Sequence, residues 1–194
     1  MLIRKNRRKE RQFPGLWNWK TGVKRGSPPV CSDYRGIVLF ARIKEIRMTE
    51  IHGDEYFMRR ALAEAREAFD RGEVPVGAVV VSAGRIIARA HNLTELLNDV
   101  TAHAEMQAIT AAANLLGGKY LDQCTVYVTV EPCVMCAGAL GWAQTGRLVF
   151  GAGDDKRGYR KYAPQALHPK TEVTGGVLET ECSALMKAFF SARR

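Results

Sequence analysis

From residue 54 onward, apolar positions recur along the chain with the spacing of helices and strands. The first predicted helix follows Thr49, Glu50 and Asp54 and ends at Gly72. Its apolar face is formed by Phe57, Leu62, Ala65 and Phe69. Two apolar runs follow at 76–81 and 85–90, with Ala83 and Gly84 between them. This pattern is typical of a β-hairpin.

Beyond the hairpin, predicted helices alternate with strands. Helices are expected at 102–116, 132–143 and 178–192, and strands at 125–130 and 147–151. Thr101 is suited to cap the first of these helices, and Gly117 to end it. Residues 154–170, called the basic segment below, are rich in turn formers and in positive charge, and we predict no regular element there. Two strands followed by alternating helix and strand predict an α/β domain with a mixed sheet and helices on both of its faces.

The first 47 of the 194 residues differ in character from the rest. They contain 13 of the 29 Lys and Arg but only three acids, a net charge of +10, and they show no sustained apolar period. The remaining residues hold 16 basic and 17 acidic side chains, so the overall charge of +9 is no evidence of nucleic-acid binding by the main domain. We therefore predict a basic N-terminal extension at 1–47 and a folded domain at 48–194.

Cysteine content and hydropathy predict the compartment. The chain has five cysteines, an odd number, and three of them fall within 13 positions. This favours a metal or catalytic role in a reducing compartment over a disulfide framework. The longest apolar run near the N-terminus, 36–41, is shorter than a signal-peptide core of about 7 to 15 residues or a membrane span of about 20. A cytoplasmic protein without membrane attachment is expected.

Four residues are candidates for metal binding and catalysis. His103 and Glu105 lie at the start of one predicted helix, and Cys133 and Cys136 follow Pro132 at the start of another. Two cysteines three positions apart in a first turn can hold one ion, and a histidine can be its third ligand. Three protein ligands leave the fourth tetrahedral position of zinc open, which distinguishes a catalytic zinc from a structural one.

Such a zinc would lower the pKa of a bound water from about 15.7 toward about 7. Glu105 is then expected to carry protons and not to bind the metal. On an ideal helix, however, positions two apart diverge by roughly 200°, so both residues can reach one site only at the end of the helix. A closed structural zinc would need a fourth ligand, and Cys124 is the candidate, although it is equally suited to the core. Cys182, on the last predicted helix, is interpreted as a core residue.

Four sequence segments together resemble the bacterial tRNA-specific adenosine deaminases of the cytidine deaminase superfamily. They are Thr-Ala-His-Ala-Glu-Met at 101–106, Glu-Pro-Cys-Val-Met-Cys-Ala-Gly-Ala-Leu at 131–140, Glu-Val-Pro-Val-Gly-Ala at 73–78 and Val-Phe-Gly-Ala at 149–152. The resemblance spans about residues 53–194. It implies a three-layer α/β/α cytidine-deaminase-like fold with a five-stranded mixed sheet, one Zn²⁺ per chain, a homodimer, and conversion of wobble adenosine to inosine in the tRNA anticodon loop.

The resemblance also implies substrate contacts. Asn92 and Val76 should line the base pocket, and Asp154 and Lys156 should lie near the RNA backbone. Three of them have simpler alternative roles: Asn92 as a cap of its loop, Val76 as a packing residue of its strand, and Asp154 as a solvated charge.

The chain departs from the family pattern at 156–173, where the family usually has a longer loop containing Ser-Leu-Met. Here the basic and aromatic residues suited to phosphates and unstacked bases are Lys156, Arg157, Tyr159, Arg160, Lys161 and Tyr162. Two other functions therefore stay open: deamination of a free nucleobase or nucleoside such as guanine, cytosine or cytidine, and a nucleic-acid-binding module with a structural zinc.

Overall fold

The computed structural model of the protein describes residues 52–193, so the predicted extension at 1–47 lies outside the described residues. The five strands are β1 (Gly77–Ser82), β2 (Arg85–His91), β3 (Cys124–Val130), β4 (Arg147–Ala152) and β5 (Glu172–Gly175). The five helices are α1 (Asp54–Asp70), α2 (Ala104–Leu116), α3 (Val134–Trp142), α4 (Tyr159–Tyr162) and α5 (Glu179–Ser191).

The strands form one mixed sheet in the order β2-β1-β3-β4-β5. The β1–β2 hairpin is antiparallel, and β1 also pairs antiparallel with β3. Strands β3, β4 and β5 run parallel. The sheet therefore has both of the connection types that the sequence pattern predicted, a hairpin and helical crossovers.

Helices cover both faces of the sheet, as alternation along β1 illustrates. Ala78 and Val80 belong to a buried cluster that contains Ala108 of α2 and Leu140 of α3. Val79 and Val81 belong to the opposite cluster, which contains residues of α1 and α5. Since successive side chains of a strand point to opposite faces, one strand contributes to two cores. The predicted three-layer α/β/α fold with a five-stranded mixed sheet is thus confirmed.

A glycine at the start of β1 allows α1 to pack closely against the sheet. A Cβ atom added to Gly77 would lie 2.1 Å from the carbonyl oxygen of Ala61 and 2.4 Å from the backbone nitrogen of Ala65. Both distances are shorter than van der Waals contact, so any side chain here would displace the helix. The close approach fixes the start of β1, and with it Val76, the residue just before the strand.

Two local predictions are corrected. The prediction that Thr101 caps α2 is wrong: His103 occupies the N-cap position, and the hydroxyl of Thr101 donates to Asp99 Oδ1 at 2.7 Å. The basic segment contains a short helix, α4, where no regular element was predicted. Within residues 52–193, no helix is long and apolar enough to cross a bilayer.

Candidate active site

The N-termini of α2 and α3 meet at one edge of the sheet. His103 is the N-cap residue of α2, and Cys133, which follows β3, is the N-cap residue of α3. Cys136 lies in the first turn of α3 and is fully buried. Helix N-termini carry free N–H groups and partial positive charge, which favours thiolates over thiols. The predicted approach of the two helix starts is therefore present in the fold.

The three candidate ligands have the spacing of a zinc site. His103 Nδ1 lies 3.7 Å from Cys133 Sγ and 3.5 Å from Cys136 Sγ, and the three ligand atoms all lie within 4.8 Å of one another. A tetrahedral zinc with ordinary Zn–N and Zn–S bonds separates a nitrogen and a sulfur ligand by about 3.6 Å. The donor set of two sulfurs and one imidazole, with these nitrogen–sulfur separations, fits a zinc ion. Cys124 is buried in the core on the α2/α3 face and is not part of this group.

The two thiols differ in acidity. The Cys136 thiol hydrogen-bonds to Cys133 Sγ, and together with the adjacent His103 ring this lowers the pKa of Cys133 to about 4. The same hydrogen bond, together with burial, raises the pKa of the Cys136 thiol. The Cys133 thiolate is thus available to a metal at neutral pH, and metal binding must displace the proton of Cys136.

Glu105 is a buried acid beside the ligand group. Its side chain is 3% exposed, and its Oε2 atom has no hydrogen-bond partner in the part of the chain that the structure describes. Burial raises the pKa of Glu105 to about 7. A carboxyl group with such a pKa can both accept and release a proton at neutral pH. Glu105 is therefore placed for proton transfer, and it is not a member of the ligand group.

The backbone of His103 explains how two residues spaced two positions apart reach one site. His103 has extended dihedral angles, φ −71° and ψ 155°, whereas Glu105 lies inside the first helical turn. The 100° per residue rotation of a helix does not apply across the N-cap. Both side chains consequently reach the same edge of the sheet, as the sequence argument required.

A cavity of about 1120 Å³ opens onto this site. His103, Glu105 and Cys133 line it, and so do all four predicted substrate residues, which are Val76, Asn92, Asp154 and Lys156. Helix α5 contributes a wall that the sequence did not predict, formed by Ser183, Met186, Lys187, Phe190 and Ser191. Of the predicted site residues, all but the fully buried Cys136 therefore line one space.

Asn92 connects the cavity to α2. Its Oδ1 accepts a hydrogen bond of 2.9 Å from the backbone N–H of Ala104, one of the free N–H groups at the start of that helix. Its backbone N–H donates to the carbonyl oxygen of Val76. The carboxamide is therefore held in one orientation, and its NH₂ group is the part left to meet a ligand.

Asp154 shapes a loop instead of standing free in solvent. Its Oδ1 accepts hydrogen bonds from the backbone N–H groups of Lys156 and Arg157, at 2.9 and 3.0 Å. This is the hydrogen-bond pattern of an Asx turn. The turn presents the side chains of Lys156 and Arg157, both exposed, at the mouth of the cavity.

Two other residues of the basic segment, Tyr159 and Arg160, make contacts within the protein. Tyr159 is 4% exposed and belongs to the core, so its ring cannot stack on a base. The Arg160 guanidinium forms an ion pair with Glu131 at 2.8 Å and lies over the Phe150 ring. Tyr162, in contrast, is exposed and lines the cavity.

Two buried glutamates hold the loops that flank the cavity, a role the sequence did not predict. Glu73 accepts hydrogen bonds from the Thr94 hydroxyl and from the backbone N–H groups of Glu95 and Leu96. Burial alone would raise the pKa of Glu73, but these hydrogen bonds lower it below its ordinary value. Glu131 binds the basic segment in the same way, and its pKa is lowered for the same reason. An acid within an apolar segment, as in Val-Glu-Pro at 130–132, was the available signal.

Comparison with known proteins identifies the family. Residues 52–194 match the family model of MafB19-like deaminases. The chain is 45% identical to the tRNA-specific adenosine deaminase of Bacillus subtilis over 146 residues, which cover 73% of this chain and 91% of that protein.

Solved structures agree with this match. One from a study of A-to-I editing by tRNA:A34 deaminases at the wobble position is 45% identical, covers 67% of this chain and 98% of its own, and superposes with a TM-score of 0.63. A guanine deaminase from Nitrosomonas europaea is 25% identical, with 72% and 85% of the chains covered and a TM-score of 0.62. The chain therefore belongs to the deaminase family that includes the bacterial tRNA-specific adenosine deaminases.

Proposed function

We propose that this protein hydrolyses the 6-amino group of adenosine at the wobble position of tRNA, giving inosine and ammonia, and that it uses one zinc ion per chain. The choice of a polyanionic substrate rests on the positive charge at the cavity mouth. Lys156, Arg157 and Lys187 line the cavity, are exposed, and form no ion pair among residues 52–193. Unpaired cations beside a buried catalytic group suit a base presented on a phosphate backbone.

The residues divide the reaction between them. His103, Cys133 and Cys136 would hold the zinc, which supplies a Lewis acid that makes water a good nucleophile at neutral pH. Glu105 would take one proton from the water as it adds to C6 of adenine and pass it to the ring N1. It would then take the remaining proton from the hydroxyl on C6 and pass it to the departing amine, so that the C6 carbonyl of inosine and ammonia form. Its burial keeps the carboxyl group close to the pKa that two-way transfer needs.

Asn92 and Val76 are proposed to orient the base. The Asn92 NH₂ group can donate to an acceptor on the adenine ring because its oxygen is already engaged by Ala104. Val76 offers an apolar side chain to one face of the ring. Asp154 acts through the turn it stabilises, which places Lys156 near the RNA backbone.

We also infer that two copies of the chain associate in the cytoplasm. Several large apolar side chains are exposed outside the cavity, among them Trp142 at 86% and Val100 at 84%. Exposed apolar side chains of this size are candidates for a contact surface where they lie together in one patch. Sedimentation of the purified protein would give the mass of a dimer, and a monomer at micromolar concentration would contradict the inference.

A second candidate function is hydrolysis of free guanine, favoured by the similarity to the Nitrosomonas enzyme. An assay of ammonia release separates the two. An anticodon stem-loop with a wobble adenosine should be deaminated, whereas the same stem-loop with guanosine, free guanine, free adenosine and cytidine should not. Release from guanine alone would make the protein a free-base deaminase.

The role of the exposed cations is tested by replacing Lys156 and Arg157 together with alanine. We expect a higher KM for the stem-loop, little change in kcat, and a weaker salt dependence, since each lost phosphate contact lowers the slope by roughly 0.7 to 0.9.

The matched control replaces Arg85 and Lys119 by alanine, which removes the same charge at the opposite end of the sheet, beside the β1–β2 turn and before β3. An equal effect of both double variants would show that only net charge matters.

A further inference from the structure

Glu131 lies between the candidate metal ligands and the basic segment. It follows β3 and directly precedes Pro132 and Cys133, and its side chain is only 5% exposed. A buried carboxylate must be compensated by hydrogen bonds or by charge. All of the partners that the described residues provide to this side chain come from the loop between β4 and α4 and from the start of α4.

The hydrogen bonds use both carboxylate oxygens. Oε2 accepts from the backbone N–H of Asp154 at 3.1 Å and from the Arg160 guanidinium at 2.8 Å, and Oε1 accepts from the backbone N–H of Arg160 at 3.0 Å. One side chain thus joins the two ends of the turn that carries Lys156 and Arg157. Hydrogen bonds to a charged group are the stronger class.

The backbone around Glu131 reinforces this connection. The N–H of Tyr159 donates to the carbonyl oxygen of Pro132 at 2.9 Å, and Gly158 forms an isolated β-bridge with Cys133. A Cβ atom at Gly158 would lie 2.5 Å from Glu131 Cδ, so only glycine allows the loop to approach so closely. Arg160 is held on its other side, with its guanidinium carbon 4.9 Å from the centre of the Phe150 ring.

We infer that Glu131 and Arg160 form an internal brace that holds Lys156, Arg157 and Tyr162 at the cavity mouth for RNA, so that both are positioning residues. This inference rests on the proposed tRNA substrate. It assigns the two members of the pair a common structural purpose, although their charges are opposite.

Because Glu131 and Arg160 have opposite charges, the brace and a simple effect of net charge predict different results when these residues are replaced. If only net charge matters, Glu131→Gln should strengthen RNA binding, because it removes a negative charge, and Arg160→Ala should weaken it. In the brace, Glu131→Gln weakens all three hydrogen bonds to the turn and Arg160→Ala removes the strongest of them, so both should raise the KM for RNA. Loss of the charged hydrogen bonds corresponds to roughly a tenfold effect.

The experiment measures KM and kcat on the wobble-adenosine stem-loop for Glu131→Gln, Arg160→Ala and the double variant. We expect KM to rise about tenfold in each single variant and kcat to change less than threefold. The KM of the double variant should not exceed the higher of the two single-variant values. Residues that act through one contact are not additive.

Glu179→Gln is the control matched in charge. Glu179 lines a small cavity together with Arg160, and its side chain forms no hydrogen bond within the described part of the chain. The Glu179→Gln variant should have the same KM for the stem-loop as the parent, or a slightly lower one. Amide hydrogen exchange provides a second measurement: Glu131→Gln should speed exchange of the Asp154 and Arg160 N–H groups and leave α1 protected.

A lower KM in Glu131→Gln than in the parent, or additive effects in the double variant, would overturn the brace. If Glu131→Gln does not fold, Arg160→Ala decides alone: unchanged exchange at the Asp154 and Arg160 N–H groups overturns the inference. Failure of the proposed function can be told apart from failure of the brace, because in that case the parent protein itself would not deaminate the stem-loop.

Discussion

Replacing Glu105 by alanine should leave about one zinc per chain and lower kcat by about 10²- to 10⁴-fold or more, the range that a positioned proton-transfer group contributes. The reason is that Glu105 is buried beside the three ligand atoms without being one of them. Zinc is measured in the purified variant by elemental analysis, and kcat on the wobble-adenosine stem-loop. KM should change little, since the cations at the cavity mouth are unaffected.

Glu105→Gln is the matched control for this prediction. Glutamine fills the same buried volume but cannot accept and release a proton at neutral pH, so it should be as inactive as alanine. Activity in the glutamine variant close to that of the parent would show that Glu105 acts by shape. Loss of zinc from either variant would instead make Glu105 a metal ligand.

The sequence predicted the elements whose apolar spacing is strong. Strand β1 lies within one residue of its predicted bounds, and helix α1 ends within two residues of its predicted end, since both bury a regular apolar pattern. Strand β5 was missed by this approach because it has only four residues, mostly exposed, and depends on parallel pairing with β4. The pattern alone therefore predicted four strands, and the family resemblance added the fifth.

The residue that caps the start of α2 could not be predicted from its sequence neighbours. Thr101 has the side chain of an N-cap residue, but its hydroxyl is used by Asp99. The N–H of Ala104 is satisfied by Asn92, which lies just after β2. No local pattern indicates a partner 12 positions away.

The parts of the candidate site that are formed by residues close together in the sequence could be predicted. His103 with Glu105, and Cys133 with Cys136, are short motifs at helix starts, and their chemistry could be proposed before the fold was known. The pairing of Glu131 with Arg160 joins residues 29 positions apart, so charge patterning suggested RNA contacts for Arg160 instead. The wall from α5 was missed for the same reason, because only folding brings that helix to the cavity.

Replacing Cys133 by alanine should remove both zinc and activity, in contrast to the Glu105 variants. Its sulfur is one of three ligand atoms, and its low pKa makes it the thiolate that is ready for a metal at neutral pH. With one imidazole and one thiol left, the site has too few ligands to hold zinc through purification. We expect less than about a tenth of the zinc content of the parent, and turnover no higher than in Glu105→Ala.

Cys124→Ala is the matched control, because Cys124 is buried in the core of the same domain but lies outside the ligand group. It should keep about one zinc per chain and parental kcat, with a loss of stability of about 1 kcal/mol from the removed sulfur. Equal loss of zinc from both variants would mean that zinc content reports on folding. Full zinc and activity in Cys133→Ala would remove Cys133 from the ligand set, and the metal would then have to be held by residues other than the three that the fold brings within 4.8 Å of one another.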